Sequence, residues 1–420
     1  MAQLTPTRRW CALLALALGG FGIGSTEFVA MGLLPNMAAD LLPGLSAADP
    51  AAAIAKSGWL ISAYALGVVV GAPIFAILSV RMSRTRLLLA LVAIFIIGTA
   101  ASALLPSFGL VMLSRFAAAL PHGAFFGTAA LVAGRIMGPG NQAKGIAFVL
   151  SGLTVANVVG VPLITRLGQV AGWRMAYLAV AAVFALTFVA ILIAVPGQQA
   201  EPGASVRAEL RVFRLPQLWL MMGVAAIGFG GFFAVYSYIA EVVRREAGLP
   251  ESAVPWVLTA IGLGMTLGNL FGGWAADRNL RRTLQLGFPC YIAAMAALAL
   301  TAHSPVGLFV SAFAVGLTNM VLIPGVQSRL IAVSKDAQML GAALVHSGLN
   351  IGNSIGAAAG GLVIAAGLGF LAPTWVGVGL GAVGMLLVLL SLALDRRSPR
   401  IPAETAVQPQ PVSAFAGQPS

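Results

Sequence analysis

The sequence predicts an all-α membrane protein with twelve transmembrane helices in two pseudo-symmetric six-helix bundles. Three observations carry that expectation. The 420 residues are 59% hydrophobic and 9% charged, with a mean hydropathy of +0.96, whereas a soluble domain carries about a quarter charged residues. Apolar runs of about 20 residues, enough to cross roughly 30 Å of hydrocarbon, recur along almost the whole chain. The two halves of the chain also share short sequences at a nearly constant offset. Closed β-barrels alternate over short segments, so the long unbroken runs argue for helices.

The first run, 11–34, follows Arg8 and Arg9 as a signal peptide would, but it is too long for an h-region and no cleavage site follows it. It reads as a retained helix. The runs 57–80, 87–105, 108–131, 143–165 and 175–195 complete a first set of six. Between the sets lies the Pro/Gly-rich, charged stretch "PGQQAEPGASVRAELRVFRLP", which reads as a cytoplasmic linker. The runs 216–240, 253–276, 284–302, 306–328, 338–366 and 371–394 form the second set. The expected domains are therefore a bundle over 1–195, a linker over 196–215, a second bundle over 216–400 and a disordered cytoplasmic tail over 401–420, biased towards Pro, Gln and Ser.

Internal repetition supports the division. "SGLTVANVVG" at 151–160 matches "SGLNIGNSIG" at 347–356, and Gly71, Arg81 and Arg84 fall opposite Gly268, Arg278 and Arg281. A six-helix unit duplicated in one orientation is the architecture of secondary transporters whose site lies at the midplane between the halves.

The net charge of +12 reports topology rather than a polynucleotide partner. With both termini placed inside, 18 of the 24 Lys and Arg fall in cytoplasmic segments, which fixes the orientation by the positive-inside rule and adds attraction to anionic lipid. Cys11 and Cys290 offer neither a disulfide framework nor a CxxC motif and read as small buried hydrophobes. No Walker A motif is present, so ATP is not the driver. The three His are scattered, without metal spacing, and His303 reads as solvated. No reactive constellation of an enzyme is visible and no cofactor is expected.

Glu27 is the sole charge between Trp10 and Leu34. A carboxylate at that depth costs at least a few kcal/mol unless it is protonated, paired or facing water. Gly20, Ile23, Gly24, Glu27 and Met31 share a helix face whose small residues imply contact with protein or a cavity. Arg115 and His122 share a face of the fourth run, with Ala118 and Ala119 between them. Glu27 reads as the one deep acid of the chain, Glu241 lying near the outer end of the seventh run. It is thus either a proton-coupling or cationic-substrate site, with Arg115 as charge partner and His122 as polar neighbour, or one end of a static Glu–Arg tie. In the second half, His346, Asn350 and Asn353 recur at helical spacing, with Asn269 and Asn319 on neighbouring runs. These residues, with Asn157, read as substrate contacts or as helix-to-helix hydrogen bonds. The aromatics Phe229, Phe232, Phe233, Tyr236 and Tyr238 read as a pocket lining or as packing, with Phe233 and Tyr236 the candidates for substrate contact.

The stretches "GSTEFVAMGLLP" and "ALPHGAFFG", with the loops after runs two and eight, resemble the major facilitator superfamily over about residues 10 to 395. The resemblance is to its twelve-span drug:proton antiporter group, and most of all to the sugar-efflux and chloramphenicol-resistance branch. The family's loop signature, Gly-x-x-x-Asp-Arg-x-Gly-Arg-Arg, is met in the second half by Gly273, Asp277, Arg278, Arg281 and Arg282, with Leu280 in place of the second Gly. In the first half Ala76 and Val80 replace Gly and Asp, while Arg81, Arg84 and Arg86 remain. The resemblance makes Arg81, Arg84, Asp277, Arg278, Arg281 and Arg282 gating candidates, with membrane anchoring as the alternative. The family's antiporter motif is met by Gly152, Ala156 and Gly160 with Pro162 displaced by one residue, which suggests a hinge or a tight seam. The resemblance implies a rocker-switch fold with a central cavity and alternating access. It further implies non-enzymatic, proton-driven export of a small molecule, such as an amphenicol drug or a sugar-like solute, and hence a role in multidrug resistance. A facilitator or sugar importer without obligatory proton exchange is the alternative, ahead of a non-transporting receptor. The expected partners are a small-molecule substrate, protons and membrane lipids, with no nucleic acid. The chain is expected to be a monomer in a bacterial inner membrane.

Overall fold

A computed structural model describes residues 5–79, 82–138, 141–197, 215–333 and 338–397. Eleven of its helices are long and apolar enough to cross a membrane. One of them, Val254–Thr301, is 48 residues long and bends at Asn279, whose φ of −157° and ψ of 84° are not helical. At about 1.5 Å per residue its two arms each suffice for a crossing, which gives twelve spans.

Span 1 is Pro6–Gly32, begun by a Thr5 cap with Pro6 in its first turn. Three short helices, Leu34–Leu41, Pro43–Ala48 and Pro50–Ser57, lead into span 2, Trp59–Ser79. Span 3 is Arg84–Leu104. Span 4 is broken into Phe108–Ala119 and His122–Met137, because Pro121 can neither donate to the preceding turn nor accept a helical neighbour before it. Span 5 runs through Gln142–Val155, a π-helical turn at Ala156–Gly160, and Val161–Ala171. The π turn precedes Pro162, whose missing N–H a wider turn accommodates. Span 6 is Trp173–Ala194. Span 7 comprises Pro216–Gly223, a π turn at Val224–Gly228, Gly230–Tyr236, Ile239–Glu241 and a second π turn at Val242–Glu246. Spans 8 and 9 are the arms of Val254–Thr301, and spans 10, 11 and 12 are Pro305–Val333, Gln338–Ala365 and Ala372–Arg397.

The packing repeats as the sequence does. Span 1 packs on spans 5 and 6 and span 2 on span 4; correspondingly, span 7 packs on spans 11 and 12 and span 8 on span 10. The halves meet along two seams, span 2 against span 11 and span 5 against span 8. Cys11 and Cys290, expected inside, are exposed on the outer surface of the bundle, where a small apolar side chain meets lipid at no cost. The linker residues 198–214 and the tail 398–420 lie outside the described residues.

Candidate functional site

Glu27 sits in span 1 with 6% of its surface exposed. The Gly20 and Gly24 rungs beneath it fit against Val149, Leu153 and Ala156 of span 5, so the small residues of that face serve close helix packing. The carboxylate is within electrostatic reach of Tyr64 and Arg115 from its own half and of Tyr236 and Asn353 from the other. Its neighbour Phe28 stacks on Phe233 at 6.5 Å and meets Tyr236 edge-on at 5.4 Å. Residues from spans 1, 2, 4, 7 and 11 therefore converge on one acid at the contact between halves.

Arg115 is 1% exposed and tightly held. Its Nε donates to the Leu60 carbonyl at 2.8 Å, and its Nη1 donates to the Tyr177 hydroxyl. The guanidinium lies between the rings of Tyr64 and Tyr177, 5.1 and 5.4 Å from their centroids, and Nη2 is buried without a protein partner. Glu27 and Arg115 make no ion-pair contact, and the expected tie between spans 1 and 4 is corrected to a longer-range interaction. The cause is that the Tyr177 hydroxyl and the Leu60 carbonyl already hold the guanidinium.

His122 opens the second part of span 4, and the break turns it towards the other half. Its Nδ1 is 3.3 Å from the Tyr64 hydroxyl, and its ring centroid lies 6.4 Å from that of His346. His346 stacks on Phe126 at 5.7 Å. One turn further along span 11, Asn350 donates its amide to the His346 carbonyl at 3.0 Å and leaves its Oδ1 free. The Asn353 side chain is buried beside Glu27, with neither amide atom in a well-formed hydrogen bond. Asn157 in the π turn of span 5 donates to the Leu153 carbonyl at 3.1 Å and likewise has a free, buried Oδ1. Buried amides normally find partners. Several incompletely satisfied ones beside an acid and aromatic rings suit recognition of a polar solute with an apolar body.

The other candidates lie elsewhere. Gly152 packs so closely on span 1 that a Cβ would collide with the Ala17 carbonyl, and Gly160 meets the Phe21 ring. Pro162 follows the π turn directly. Asp277, Arg278 and Arg282 are exposed at the bend between spans 8 and 9. Asn279 caps the second arm by accepting from the Arg282 amide at 3.0 Å, and Arg278 lies over the Trp274 ring at 4.1 Å. Asp277 makes no ion pair among the described residues. Arg281 is partly buried there, and Arg84 is partly buried at the start of span 3. Arg81 falls outside the described residues.

At the opposite end the halves clasp. Glu251 accepts from the Asn36 amide at 2.9 Å, and its backbone carbonyl accepts from Gln169 at 2.9 Å. Ser62 and Ser354 each donate to the other's carbonyl at 3.3 Å. Gly58 leaves room for the Tyr238 hydroxyl, which donates to the Ala357 carbonyl at 2.6 Å. Phe229 and Phe232 instead pack within the second half, against Phe288 and Tyr236.

Glu241, near the outer end of span 7, is also buried, with 1% of its surface exposed. It differs from Glu27 in being paired, with Arg244 at 3.3 Å and Arg245 at 2.6 Å. The π turn after Glu241 brings both arginines back over it. Sequence reasoning missed Tyr64 and Tyr177 as holders of Arg115, and Phe126 as the platform for His346. Their signal was composition: a tyrosine in an apolar span needs a partner for its hydroxyl, and the chain has only five.

The model of the Major Facilitator Superfamily matches residues 16–250 and 232–419. The "Inner membrane transport protein YdhP" of Escherichia coli (strain K12) is 38% identical over 379 residues, 90% of this chain and 95% of that protein. A "Chloramphenicol resistance protein" of Streptomyces lividans is 32% identical over 382 residues, 89% of this chain and 94% of that protein. Among solved structures, a D-xylose-proton symporter superposes with a TM-score of 0.72 at 15% identity, covering 90% of this chain and 97% of that one. A bacterial homolog of the human lysosomal transporter Spinster superposes with a TM-score of 0.71 at 17% identity, covering 94% and 100%.

Proposed function

This chain belongs to the Major Facilitator Superfamily, and from that premise we propose that it exports a small molecule by proton antiport, with Glu27 as the group at which proton and substrate compete. As a member it is a multi-pass membrane transporter and not an enzyme. One observation supports the finer reading above the rest: of the two buried carboxylates among the described residues, Glu27 alone has no ion-pair partner, and both halves contribute to its surroundings. An intramembrane ionisable group held that way is expensive and marks an ion or substrate path. Arg115 sets the local potential from a fixed position. His122 faces His346 across the seam, Asn350 and Asn353 offer amide groups from span 11, and Phe28, Phe233 and Tyr236 supply an apolar wall. Asn157 provides a further amide at the second seam. The similarity to a chloramphenicol resistance protein favours an uncharged aromatic solute such as an amphenicol. The charge bias supports an inner-membrane placement with both termini in the cytoplasm.

The test is transport in inverted membrane vesicles with an imposed proton gradient. The wild-type protein is expected to accumulate substrate in proportion to the gradient and to dissipate the gradient when substrate is added. Glu27→Gln should lose gradient-driven accumulation while retaining substrate exchange. Undiminished coupling in Glu27→Gln would overturn the assignment.

A further inference from the structure

The seam between spans 5 and 8 holds a cavity of about 610 Å³ that takes no part in the site around Glu27. One wall is the face of span 5 that carries Val159, Leu163 and Arg166; the other is the start of span 8, with Pro255, Trp256 and Thr259. The cavity opens sideways on the surface of the bundle, where Leu163 is 64% and Trp256 68% exposed. Its lining on span 5 runs from Val158 to Arg166, nine residues that rise about 12 Å at 1.5 Å per residue. The body of the cavity is therefore apolar, elongated and reached from the hydrocarbon.

The polar end has one cation. Arg166 is exposed five residues before the end of span 5, and among the described residues it makes no hydrogen bond or ion pair. The nearest acid in sequence on the facing wall, Glu251, accepts from Asn36 through its carboxylate and from Gln169 through its backbone carbonyl, and makes no ion pair with Arg166. Arg166 and Trp256 thus stand at the level where arginine and tryptophan anchor membrane proteins to the headgroup region. An uncompensated cation above an apolar slot is complementary to a molecule with an anionic head and a hydrocarbon tail.

We infer that this seam is a binding site for a single anionic phospholipid of the leaflet at the end opposite the chain termini, its phosphate on Arg166 and one acyl chain between spans 5 and 8. Because the two walls belong to different halves, the bound lipid spans the joint that alternating access must open. Seated beside the Glu251 clasp, it favours the arrangement in which that end is closed, so the membrane's content of anionic lipid tunes the transport cycle.

The test uses purified full-length protein in detergent, titrated with phosphatidylglycerol or phosphatidylcholine of identical chains and examined by native mass spectrometry and thermal unfolding. Wild-type protein should retain one phosphatidylglycerol with at least a tenfold preference over phosphatidylcholine, and its melting temperature should rise with that lipid alone. Arg166→Gln should abolish the preference, whereas Lys56→Gln, at another exposed cation of the same end, should preserve it. Val159→Trp, which fills the slot, should reduce retention of both lipids. In native vesicles, phosphatidylglycerol carrying a diazirine on its acyl chain should label peptides from spans 5 and 8. Equal retention of both lipids by wild type, a preference that survives Arg166→Gln, or labelling confined to other spans would each overturn the proposal. So would labelling that is competed by the transported solute, which would make the slot a substrate entrance.

Discussion

Arg115 is more a structural keystone of the first half than a mobile counter-ion. It joins span 4 to span 2 through Leu60 and to span 6 through Tyr177, and a lysine can reproduce neither the forked donors nor the stacking. Arg115→Lys should destabilise the protein by about 1–3 kcal/mol, the usual cost of orphaning buried hydrogen-bonding groups, and Tyr177→Phe by about 1 kcal/mol. Thermal unfolding in detergent checks both; loss of transport without loss of stability would contradict the assignment. At the edge of the membrane, Asp40 receives hydrogen bonds from Trp173 at 3.0 Å and from Arg174. Burial works against its charged form, yet these two hydrogen bonds and the Arg174 charge prevail and hold the carboxyl below its ordinary value. A depressed acid stabilises the folded state above its unfolded pKa, and that contribution fades as the pH falls through the folded one. Both side chains are partly solvated, so the expected effect is small: wild type should lose slightly more stability than Asp40→Asn on acidification below pH 4, read from paired melting curves. At this scale the sequence singled out Glu27 but did not reveal its setting. Glu27 stood out because charge is rare in an apolar run. The length of the gap to Arg115 depends on Tyr177, 62 positions further along the chain, and no local pattern reveals such a contact.

Helices were legible where a single rule governed them and less so where two competed. Hydropathy located every span, because the thickness of hydrocarbon is the same constraint for each, but it ended spans 4, 5 and 7 six residues before the helices do. The break in span 4 and the π turn in span 5 were foreshadowed by Pro121 and Pro162, although a proline announces a disturbance without specifying its shape. The short helices between Leu34 and Ser57 went unseen, since amphipathic pieces at a membrane surface carry weak periodic signals. They matter for the clasp, in which Asn36 reaches Glu251 and Ser62 meets Ser354. Each hydroxyl reaches the other's backbone carbonyl at 3.3 Å, a proximity that favours bridging by paired cysteines. The double variant Ser62→Cys/Ser354→Cys should therefore cross-link under mild oxidation, halt transport and recover on reduction. Uninterrupted transport by the fully oxidised variant would show that this end need not open.

The duplicated architecture was the most legible feature of the whole molecule. Repeated small-residue and arginine patterns survive because two equivalent bundles must pack by equivalent rules: span 1 uses span 5 as span 7 uses span 11. The distribution of charge supports the proposal of cytoplasmic termini. Alkaline phosphatase fused after Gly172 is expected to be active and the same enzyme fused after Leu394 inactive, with the reverse result refuting cytoplasmic termini. The two bundles differ in what they bring to the centre. The first supplies the acid and a guanidinium clamped on several sides; the second supplies amides, an imidazole and aromatic rings, several with unspent hydrogen-bonding capacity. That asymmetry channels mutational drift. On the proposed reading, changes around the clamp would strike stability and coupling together, whereas changes at second-half positions away from Glu27, such as His346 and Asn350, would reshape the binding surface at less cost to coupling. A lineage of such transporters would thus acquire new cargo mainly through its second half, keeping the first as an inherited chassis.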